Sequence, residues 1–279
     1  MSSFSVRPLR SGSSGNLTLV EHAGTTLLVD AGLPSQRGLV LALSEAGATW
    51  DDIDAVLISH LHGDHIHPSA VACCARHEVP ILLHEKNVRA FSRRVLPRSA
   101  ISGPMRSFGS EPFSVGSIEV LPFPVPHDAE GVTSGFLLFA RAGEREARVA
   151  IATDLGTGGN GLYERFVDSD LILIESNYDA AMLTKSHRNR HDRARVDSDT
   201  GHLSNEQAGK FLVRVMQESR KLPRAVVLCH LSADHNTPAL ATGTVRSILA
   251  RYGFADIPVH AARRDSPSPR FFAMEAGKR

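Results

Sequence analysis

Histidine and aspartate side chains crowd into one stretch, residues 56–67, which reads Val-Leu-Ile-Ser-His-Leu-His-Gly-Asp-His-Ile-His. Its apolar start predicts a short buried strand, and the polar groups follow where that strand ends. Gly63 lets the backbone fold tightly, so that two ligand positions can form around it. The potential metal ligands are His60, His62, Asp64 and His65. Pro68 favours a helix start, and the order strand, loop and helix argues against the alternative of a polar surface loop.

Three more residues of ligand type stand at the ends of predicted strands. His127, Asp154 and His230 each follow a run rich in Val, Ile, Leu or Phe. Active sites on open sheets collect at strand ends, so we expect these side chains to converge with the histidine-rich loop. A single histidine after a strand is most often a hydrogen-bonded surface residue. The repetition over four strand ends indicates a metal site instead.

The order of the predicted elements indicates an α/β fold. Predicted strands cover residues 4–9, 17–21, 25–29, 56–58, 80–84, 112–122, 132–140, 146–152, 171–175 and 225–229. Predicted helices cover residues 35–47, 69–77 and 86–96, the stretch behind a Ser204–Gln207 capping box and the stretch behind Pro238. Strands come first, and helices and strands then follow in each half, which suits two sheets packed face to face with helices outside. No linker divides the chain, so residues 1–279 are expected to form a single domain.

Local charge bears on the choice of partner more than total charge does. The net charge is only +1, so a role with nucleic acid would need local basic patches. One candidate patch is residues 86–106, whose cations are Lys86, Arg89, Arg93, Arg94, Arg98 and Arg106. A solvated helix face fits this segment equally well. A second basic segment, residues 184–200, is interpreted as a mobile loop that meets phosphates.

Cysteine use and hydropathy predict a cytoplasmic protein. Cys73, Cys74 and Cys229 form no Cys-x-x-Cys pair, which suits reduced thiols in a reducing compartment. The first residues are Ser-rich and contain no apolar signal-peptide core. No apolar stretch approaches the ~20 residues of a membrane span, so we expect no membrane partner.

The His-x-His-x-Asp-His spacing of the loop resembles the metallo-β-lactamase-fold hydrolase superfamily. The resemblance implies a four-layer αββα sandwich and two divalent metal ions. One ion would bind His60, His62 and His127, the other Asp64, His65 and His230, and Asp154 would bridge both, with a water or hydroxide as the second bridge. Zn²⁺ is the expected metal, and the ligand types leave Mn²⁺ or Fe open. Asp30 matches an early aspartate of the family that supports the ligands from behind.

True β-lactamases of this superfamily differ from the chain in one informative position. They carry a cysteine where this chain has Asp154, and they are exported. Antibiotic hydrolysis is therefore not expected. A bridging carboxylate goes instead with the phosphodiesterase and related hydrolase branches.

Shorter motifs narrow the resemblance to the YycJ (WalJ) branch, which is associated with 5′-to-3′ exonuclease-type action on DNA. These motifs are Gly-Ser-Ser-Gly-Asn at 12–16, Glu-Ser-Asn-Tyr-Asp at 175–179, Gly-His-Leu-Ser-Asn at 201–205 and His-Leu-Ser at 230–232. The third also resembles the Gly-His-Ser-Thr element of RNase Z, the tRNA 3′-processing endonuclease. There the histidine handles the scissile phosphate and the leaving group, and we carry that role to His202. Ser13, Asn177, Ser204 and Asn236 are candidate substrate contacts.

The expected chemistry is hydrolysis of a phosphodiester in DNA or RNA by water activated between two metal ions. Asp64 would orient the nucleophile besides binding metal. His202 would donate a proton to the leaving oxygen, or stabilise its charge as an imidazolium. A small-molecule hydrolase, such as a cyclic phosphodiesterase, lactonase or thioesterase, fits the same seven ligands. A metal-dependent binding module without activity is the alternative outside catalysis, and it is disfavoured because no ligand position is missing.

Overall fold

Two seven-stranded sheets form the centre of the molecule. A computed structural model of the protein describes residues 2–95, 104–157 and 161–277. The described strands, β1 to β14 in chain order, are Phe4–Arg10, Leu17–His22, Thr25–Val29, Ala55–Leu57, Ile81–His84, Met105–Phe108, Phe113–Val115, Ile118–Val125, Thr133–Ala142, Arg145–Ala152, Leu171–Glu175, Ala225–Cys229, Val259–Ala261 and Phe271–Met274. The described helices, α1 to α7, are Gln36–Ala46, Pro68–Arg76, Val88–Arg94, Ala180–Thr184, Arg190–Val196, Asn205–Glu218 and Pro238–Arg251. The first sheet has the order β14-β1-β2-β3-β4-β5-β6 and the second the order β13-β12-β11-β10-β9-β8-β7.

The two sheets pack face to face through one apolar layer. Val6 and Val20 of the first sheet meet Val120, Leu138 and Leu173 of the second in a cluster of buried side chains. Because successive residues of a strand point to opposite faces, the remaining apolar residues of each strand point outward. Helices α1, α2 and α3 cover the outer face of the first sheet, and α6 and α7 cover that of the second. The result is the αββα sandwich that the sequence predicts.

Helix α6 begins where the sequence predicts, and its start sets the position of His202. Ser204 Oγ accepts from the backbone N–H of Gln207, and the Gln207 side chain accepts from the backbone N–H of Ser204. On the inner face of the helix, Leu212 and Met216 are buried against the second sheet. Each such side chain contributes about 1.5–3 kcal/mol on full burial. The residues just before the helix are therefore held close to the sheet.

Parallel pairing brings the carboxyl ends of several strands to one edge of the sandwich. β3 and β4 are parallel in the first sheet, and β10, β11 and β12 are parallel in the second. Polar residues end or follow these strands, namely Asp30, His60, Asp154, Glu175 and His230. Carboxyl ends of parallel strands are where open α/β sheets bind ligands. This edge is therefore where a site is expected.

The strand predicted over residues 112–122 is wrong, because the structure has two strands there. Gly116 takes a φ of 52° and turns the chain between β7 and β8. The Ser117 hydroxyl donates to the backbone oxygen of His22 and fixes this turn against the first sheet. The sequence prediction also lacks β6, β13 and β14. β6 buries only Phe108 of its four residues, so no apolar pattern reveals it.

The interpretation of residues 184–200 as a loop is also wrong in part. They contain the helix α5, whose start is capped by Asn189 Oδ1 accepting from the N–H of Asp192. Val196 at the end of α5 is buried with Tyr178 and Leu183. A single apolar anchor in a run of charged residues leaves no helical periodicity to detect. The predicted helix over 86–96 is confirmed in its described part as α3.

None of the helices in the described part of the chain has the length and apolarity to cross a membrane. The longest two, α6 and α7, have 14 residues each. Cys73, Cys74 and Cys229 are free and buried. Burial raises the pKa of Cys74 and of Cys229 to about 12, so these thiols pack as small apolar groups.

Candidate metal centre

The histidine-rich loop between β4 and α2 is held against two other segments. The N–H of Asn16 donates to the backbone oxygen of Asp64, and the N–H of Ala31 donates to that of His65, both at 2.8 Å. No side chain fits at Gly32, because an added Cβ would lie 1.8 Å from the backbone oxygen of Asp64. The segment around Asn16 is therefore part of the support of the site.

Three imidazoles form a first candidate ligand set, His60, His62 and His127. The ring centroid of His60 lies 4.6 Å from that of His62 and 5.0 Å from that of His127. His62 Nδ1 and His127 Nε2 are 3.3 Å apart. One nitrogen from each ring lies within 4.8 Å of the other two, which is the spacing of ligands around one ion. The structure therefore brings His127 to the loop, as the sequence predicts.

Asp64, His65 and His230 form a second candidate set. Asp64 Oδ2 lies 3.2 Å from His230 Nε2 and 3.8 Å from His65 Nε2. Asp154 stands between the two sets. Its Oδ2 lies 2.8 Å from His65 Nε2, and its Oδ1 lies 3.6 Å from His127 Nε2. One carboxylate thus reaches ligand nitrogens of both sets, as a bridging ligand must.

Two buried atoms of this cluster test whether a metal fits. His60 Nε2 has no hydrogen-bond partner in the described part of the chain, and Asp154 Oδ2 has only the close contact with His65 Nε2, which lacks hydrogen-bond geometry. An unpaired buried polar atom is costly, about 1–3 kcal/mol or more, and a cation would satisfy both atoms at once. Imidazole nitrogens and carboxylate oxygens suit Zn²⁺ and also Mn²⁺ or Fe. The cluster is therefore able to hold a divalent metal.

The second nitrogens of three candidate ligand histidines are also partnered. The contacts are His65 Nδ1 to Asp30 Oδ2 at 2.7 Å, His127 Nδ1 to the backbone oxygen of Gly201 at 3.1 Å, and His230 Nδ1 to Glu175 Oε1 at 2.9 Å. Each acceptor accepts a hydrogen bond from Nδ1–H, so the proton stays on Nδ1 and the lone pair of Nε2 is available to a metal. The chain therefore sets the tautomers that metal binding requires.

Asp30 lies behind the loop, as the resemblance implies. Its carboxylate accepts from the backbone N–H of Ser59 at 2.8 Å, from the Ser59 hydroxyl at 2.9 Å and from His65. Its backbone has a φ of 61°, an uncommon conformation for a residue with a side chain. The three accepted bonds stabilise this conformation, because they depend on where it places the carboxylate.

Burial and charge push the histidine pKa values in opposite directions. Burial, and then the neighbouring His65, holds the pKa of His60 well below its usual value, so His60 is neutral. Burial also lowers the pKa of His230, but Asp154, Asp64 and Glu175 outweigh it and raise the value to about 10. The metal-free site therefore keeps a proton on His230, which a metal must displace.

Glu175, which the sequence analysis did not assign to the site, connects the candidate proton donor to a candidate ligand. Its Oε1 accepts from His202 Nδ1 at 2.7 Å and from His230 Nδ1 at 2.9 Å. Its Oε2 accepts from the backbone N–H groups of Leu155 and Leu203, both at 3.1 Å. The signal in the sequence is a carboxylate at the end of an otherwise apolar buried strand, the same position from which the other candidate residues were chosen.

A cavity of about 360 Å³ opens onto the cluster. Asp64, Asp154, His202 and His230 line it, and so do Ser13 and Asn177. Ser13 and Asn177 are therefore placed where a substrate can reach them. A larger cavity of about 800 Å³ lies over the second sheet, but none of its lining residues is a candidate ligand. We assign function to the smaller cavity because the reactive groups are there.

Ser204 and Asn236 do not line this cavity. Ser204 caps α6, as described above. Asn236 Nδ2 donates to the backbone oxygens of Ser176 and Asn177 at 2.9 and 3.1 Å. Both side chains are buried and engaged within the protein, so the structure gives them a supporting role in place of the predicted substrate contact.

The two basic segments lie in different places. In the segment 86–106, Arg93 and Arg94 pair with Glu130, and no described cation of this segment lines the cavity. Arg98 lies outside the described residues. From the segment 184–200, Arg188 and Arg195 do line the cavity.

Comparisons with known proteins find relatives over nearly the whole chain. The family model "Beta-lactamase superfamily domain" matches residues 25–231. The exodeoxyribonuclease WalJ of Streptococcus pneumoniae is 30% identical over 270 residues, covering 95% of this chain and 97% of its own. The exodeoxyribonuclease YycJ of Bacillus anthracis is 30% identical over 257 residues, 90% of each chain.

Solved structures share the fold. The metallo-β-lactamase-fold protein YhfI of Bacillus subtilis matches with a TM-score of 0.68 at 14% identity, covering 95% of this chain and 99% of its own. The short form of human tRNase Z matches with a TM-score of 0.61 at 17% identity, covering 95% and 98%. At these identities the likeness concerns the fold alone.

Proposed function

Because the chain belongs to the beta-lactamase superfamily and is related over nearly its whole length to the WalJ and YycJ exodeoxyribonucleases, we propose that it is a dinuclear metal-dependent phosphodiesterase acting on nucleic acid. The observation that carries this proposal is the convergence of two ligand sets on one shared carboxylate, Asp154. A single ion would need only one of the two sets.

The metal ligands in this proposal are the seven residues named from the sequence. His60, His62 and His127 would hold one ion, Asp64, His65 and His230 would hold the other, and Asp154 would serve both sets. When bound, such ions lower the pKa of a water molecule and stabilise charge on phosphoryl oxygens. Zn²⁺ suits the donor set best. Asp64 has a second role, since its carboxylate at the cavity wall orients the attacking water.

His202 supplies the proton for the leaving oxygen. Its Nδ1 donates to Glu175, so Nε2 is the nitrogen left for the substrate. Burial lowers the pKa of His202, but the Glu175 charge and hydrogen bond, together with Asp154, raise it above its usual value. A raised pKa favours the protonated imidazole, which is the form that a general acid needs.

The choice of DNA is supported by the names of the relatives and by the cations at the cavity. A small-molecule hydrolase would use the same seven ligands, so substrate assays separate the two functions.

Two further proposals accompany this one. Residues 1–279 form one domain, which the single apolar layer shared by both sheets supports. The protein works in the cytoplasm, which three free, buried thiols support.

The test combines metal analysis with assays on end-labelled DNA and RNA, on bis(p-nitrophenyl) phosphate, and on lactones and thioesters. We expect two metal ions per chain and cleavage of DNA.

His202→Ala should keep both ions and lose about 100-fold or more of turnover, because a general acid contributes at least that much. His191→Ala, at an exposed histidine of α5, is the control and should behave as the unmodified protein. Lactone or thioester cleavage without phosphodiester cleavage would overturn the proposal. If His202→Ala retains full turnover, His202 is only structural.

A further inference from the structure

Two arginines at the wall of the cavity are tied to acids from other loops. Arg195, in α5, contacts Asp128 Oδ2 through Nη1 at 2.6 Å. Arg188, just before α5, pairs through Nη2 with Asp234. Neither guanidinium makes another hydrogen bond within the described residues, although each carries five N–H donors. Both arginines therefore line the cavity with donors to spare.

Both ion pairs lie near the surface. The Arg188 side chain is 50% exposed and that of Arg195 is 47% exposed. Exposed pairs of this kind are screened by solvent and salt and contribute little to stability. Each pair uses only one nitrogen–oxygen contact, whereas a phosphate can accept two parallel hydrogen bonds from the planar guanidinium. The arginines can therefore exchange their acids for a phosphate without disturbing the core.

The cavity has two chemically different parts. Its lining carboxylates, Asp64 and Asp154, both belong to the candidate metal centre. Outside the candidate metal ligands, the polar lining residues are Ser13, Asn177, Arg188, Arg195, His202, Ser232 and His235. The two arginines bring their guanidinium charge to this part, while Asp128 and Asp234 do not line the cavity. A substrate with only one phosphate would occupy the metal centre alone. A second phosphate on the same molecule would lie within reach of Arg188 and Arg195.

We propose that Arg188 and Arg195 bind a phosphate that neighbours the scissile phosphate of a nucleic-acid strand, in exchange for Asp234 and Asp128. This inference rests on the proposed phosphodiesterase function and adds the reason why a polynucleotide would be preferred to an ester with one phosphate. Because the two acids pair with the arginines, they would compete with the substrate phosphate for them.

The experiment compares a short DNA strand with bis(p-nitrophenyl) phosphate, which has no second phosphate. Arg188→Ala and Arg195→Ala should each raise the KM for DNA about tenfold, the effect of losing one charge-assisted hydrogen bond. The kcat/KM for bis(p-nitrophenyl) phosphate should stay within about twofold. Each variant should also lower the salt dependence of DNA binding by about one phosphate contact. Arg190→Ala, at an exposed arginine of α5 outside the cavity, is the matched control. It should change neither the KM for DNA nor the kcat/KM for bis(p-nitrophenyl) phosphate.

A variant of the opposite sign separates binding from a structural role. Asp234→Asn removes the competitor of Arg188 and should lower the KM for DNA, whereas loss of a structural clamp would raise it or leave it unchanged. Equal effects of the arginine variants on both substrates, or none on DNA, would overturn the inference while the phosphodiesterase function stood. Absence of metal-dependent cleavage of both substrates by the unmodified protein would overturn both proposals.

Discussion

Each half of the molecule has one buried carboxylate that accepts hydrogen bonds from residues of the candidate metal centre. The two carboxylates, Asp30 and Glu175, differ in how many separate chain segments they contact. Asp30 accepts from Ser59 and His65, both in the loop that follows β4. Glu175 accepts from groups that follow β10 and β12 and from two residues before α6. The first half therefore builds its ligands from one contiguous loop, and the second gathers them from separate elements.

This difference separates metal binding from proton transfer. Asp30 contacts one candidate ligand and no catalytic candidate. Glu175 contacts a candidate ligand, His230, and the candidate acid, His202, through the same oxygen. A change at Asp30 should therefore affect metal binding alone, whereas a change at Glu175 should affect metal binding and turnover together.

The largest effect is expected at Asp154, which both halves share. Asp154→Ala should lower kcat by about a thousandfold or more, because it removes the carboxylate between the two ligand sets and leaves His65 without that partner. Metal content after dialysis should fall from two ions to one or none. Full metal content with normal turnover would mean that the two halves do not share a ligand.

The comparison between the carboxylates is tested by a matched pair of isosteric variants. Glu175→Gln should weaken metal binding about 10- to 100-fold and also lower kcat at saturating metal about 100-fold. Asp30→Asn should weaken metal binding by a similar factor, while kcat at saturating metal stays within a few-fold of normal. Titrating metal into each variant and assaying turnover gives both quantities. Identical metal affinity and kcat in the two variants would mean that Asp30 and Glu175 have the same role.

A smaller effect concerns pH and the metal-free protein. The pKa of His230 is about 10 in the folded protein, so its proton stabilises the fold fully below the ordinary histidine pKa of 6.5. That stabilisation should be lost as the pH rises from 6.5 to about 10. Over the same range, metal affinity should rise up to tenfold per pH unit for this displaced proton. Calorimetric titration in buffers of different ionisation enthalpy measures the proton release. A metal affinity independent of pH would contradict the charge balance described for the site.

The smallest effect is expected at Ser204, which the structure gives a capping role. Ser204→Ala should destabilise the protein by about 1 kcal/mol in chemical denaturation. Turnover and KM should stay unchanged below the unfolding transition, since the side chain does not line the cavity. Gln207→Ala, which removes the other side chain of the capping box, is the control and should have a similar effect. A raised KM in Ser204→Ala alone would restore the predicted substrate contact.

The sequence groups His60, His62, Asp64 and His65 in one loop because the spacing of these residues is local, and their role as metal ligands stays a prediction. His127, Asp154 and His230 could be grouped with it because each follows an apolar run, a pattern that survives without knowledge of strand order. Glu175 was missed because its partners lie 27 and 55 residues away, and nothing local shows which groups it faces. The substrate contact of Asn236 stays a prediction, and its position in a loop does not reveal that its side chain turns inward.

The central claim is that two ligand sets meet at Asp154 around two ions. Anomalous diffraction from crystals of the metal-loaded protein, collected on either side of the zinc absorption edge, tests it most directly. We predict two peaks, one beside His60, His62 and His127 and the other beside Asp64, His65 and His230. The Asp154 carboxylate should contact both. A single peak, or peaks away from these residues at full metal content, would contradict it.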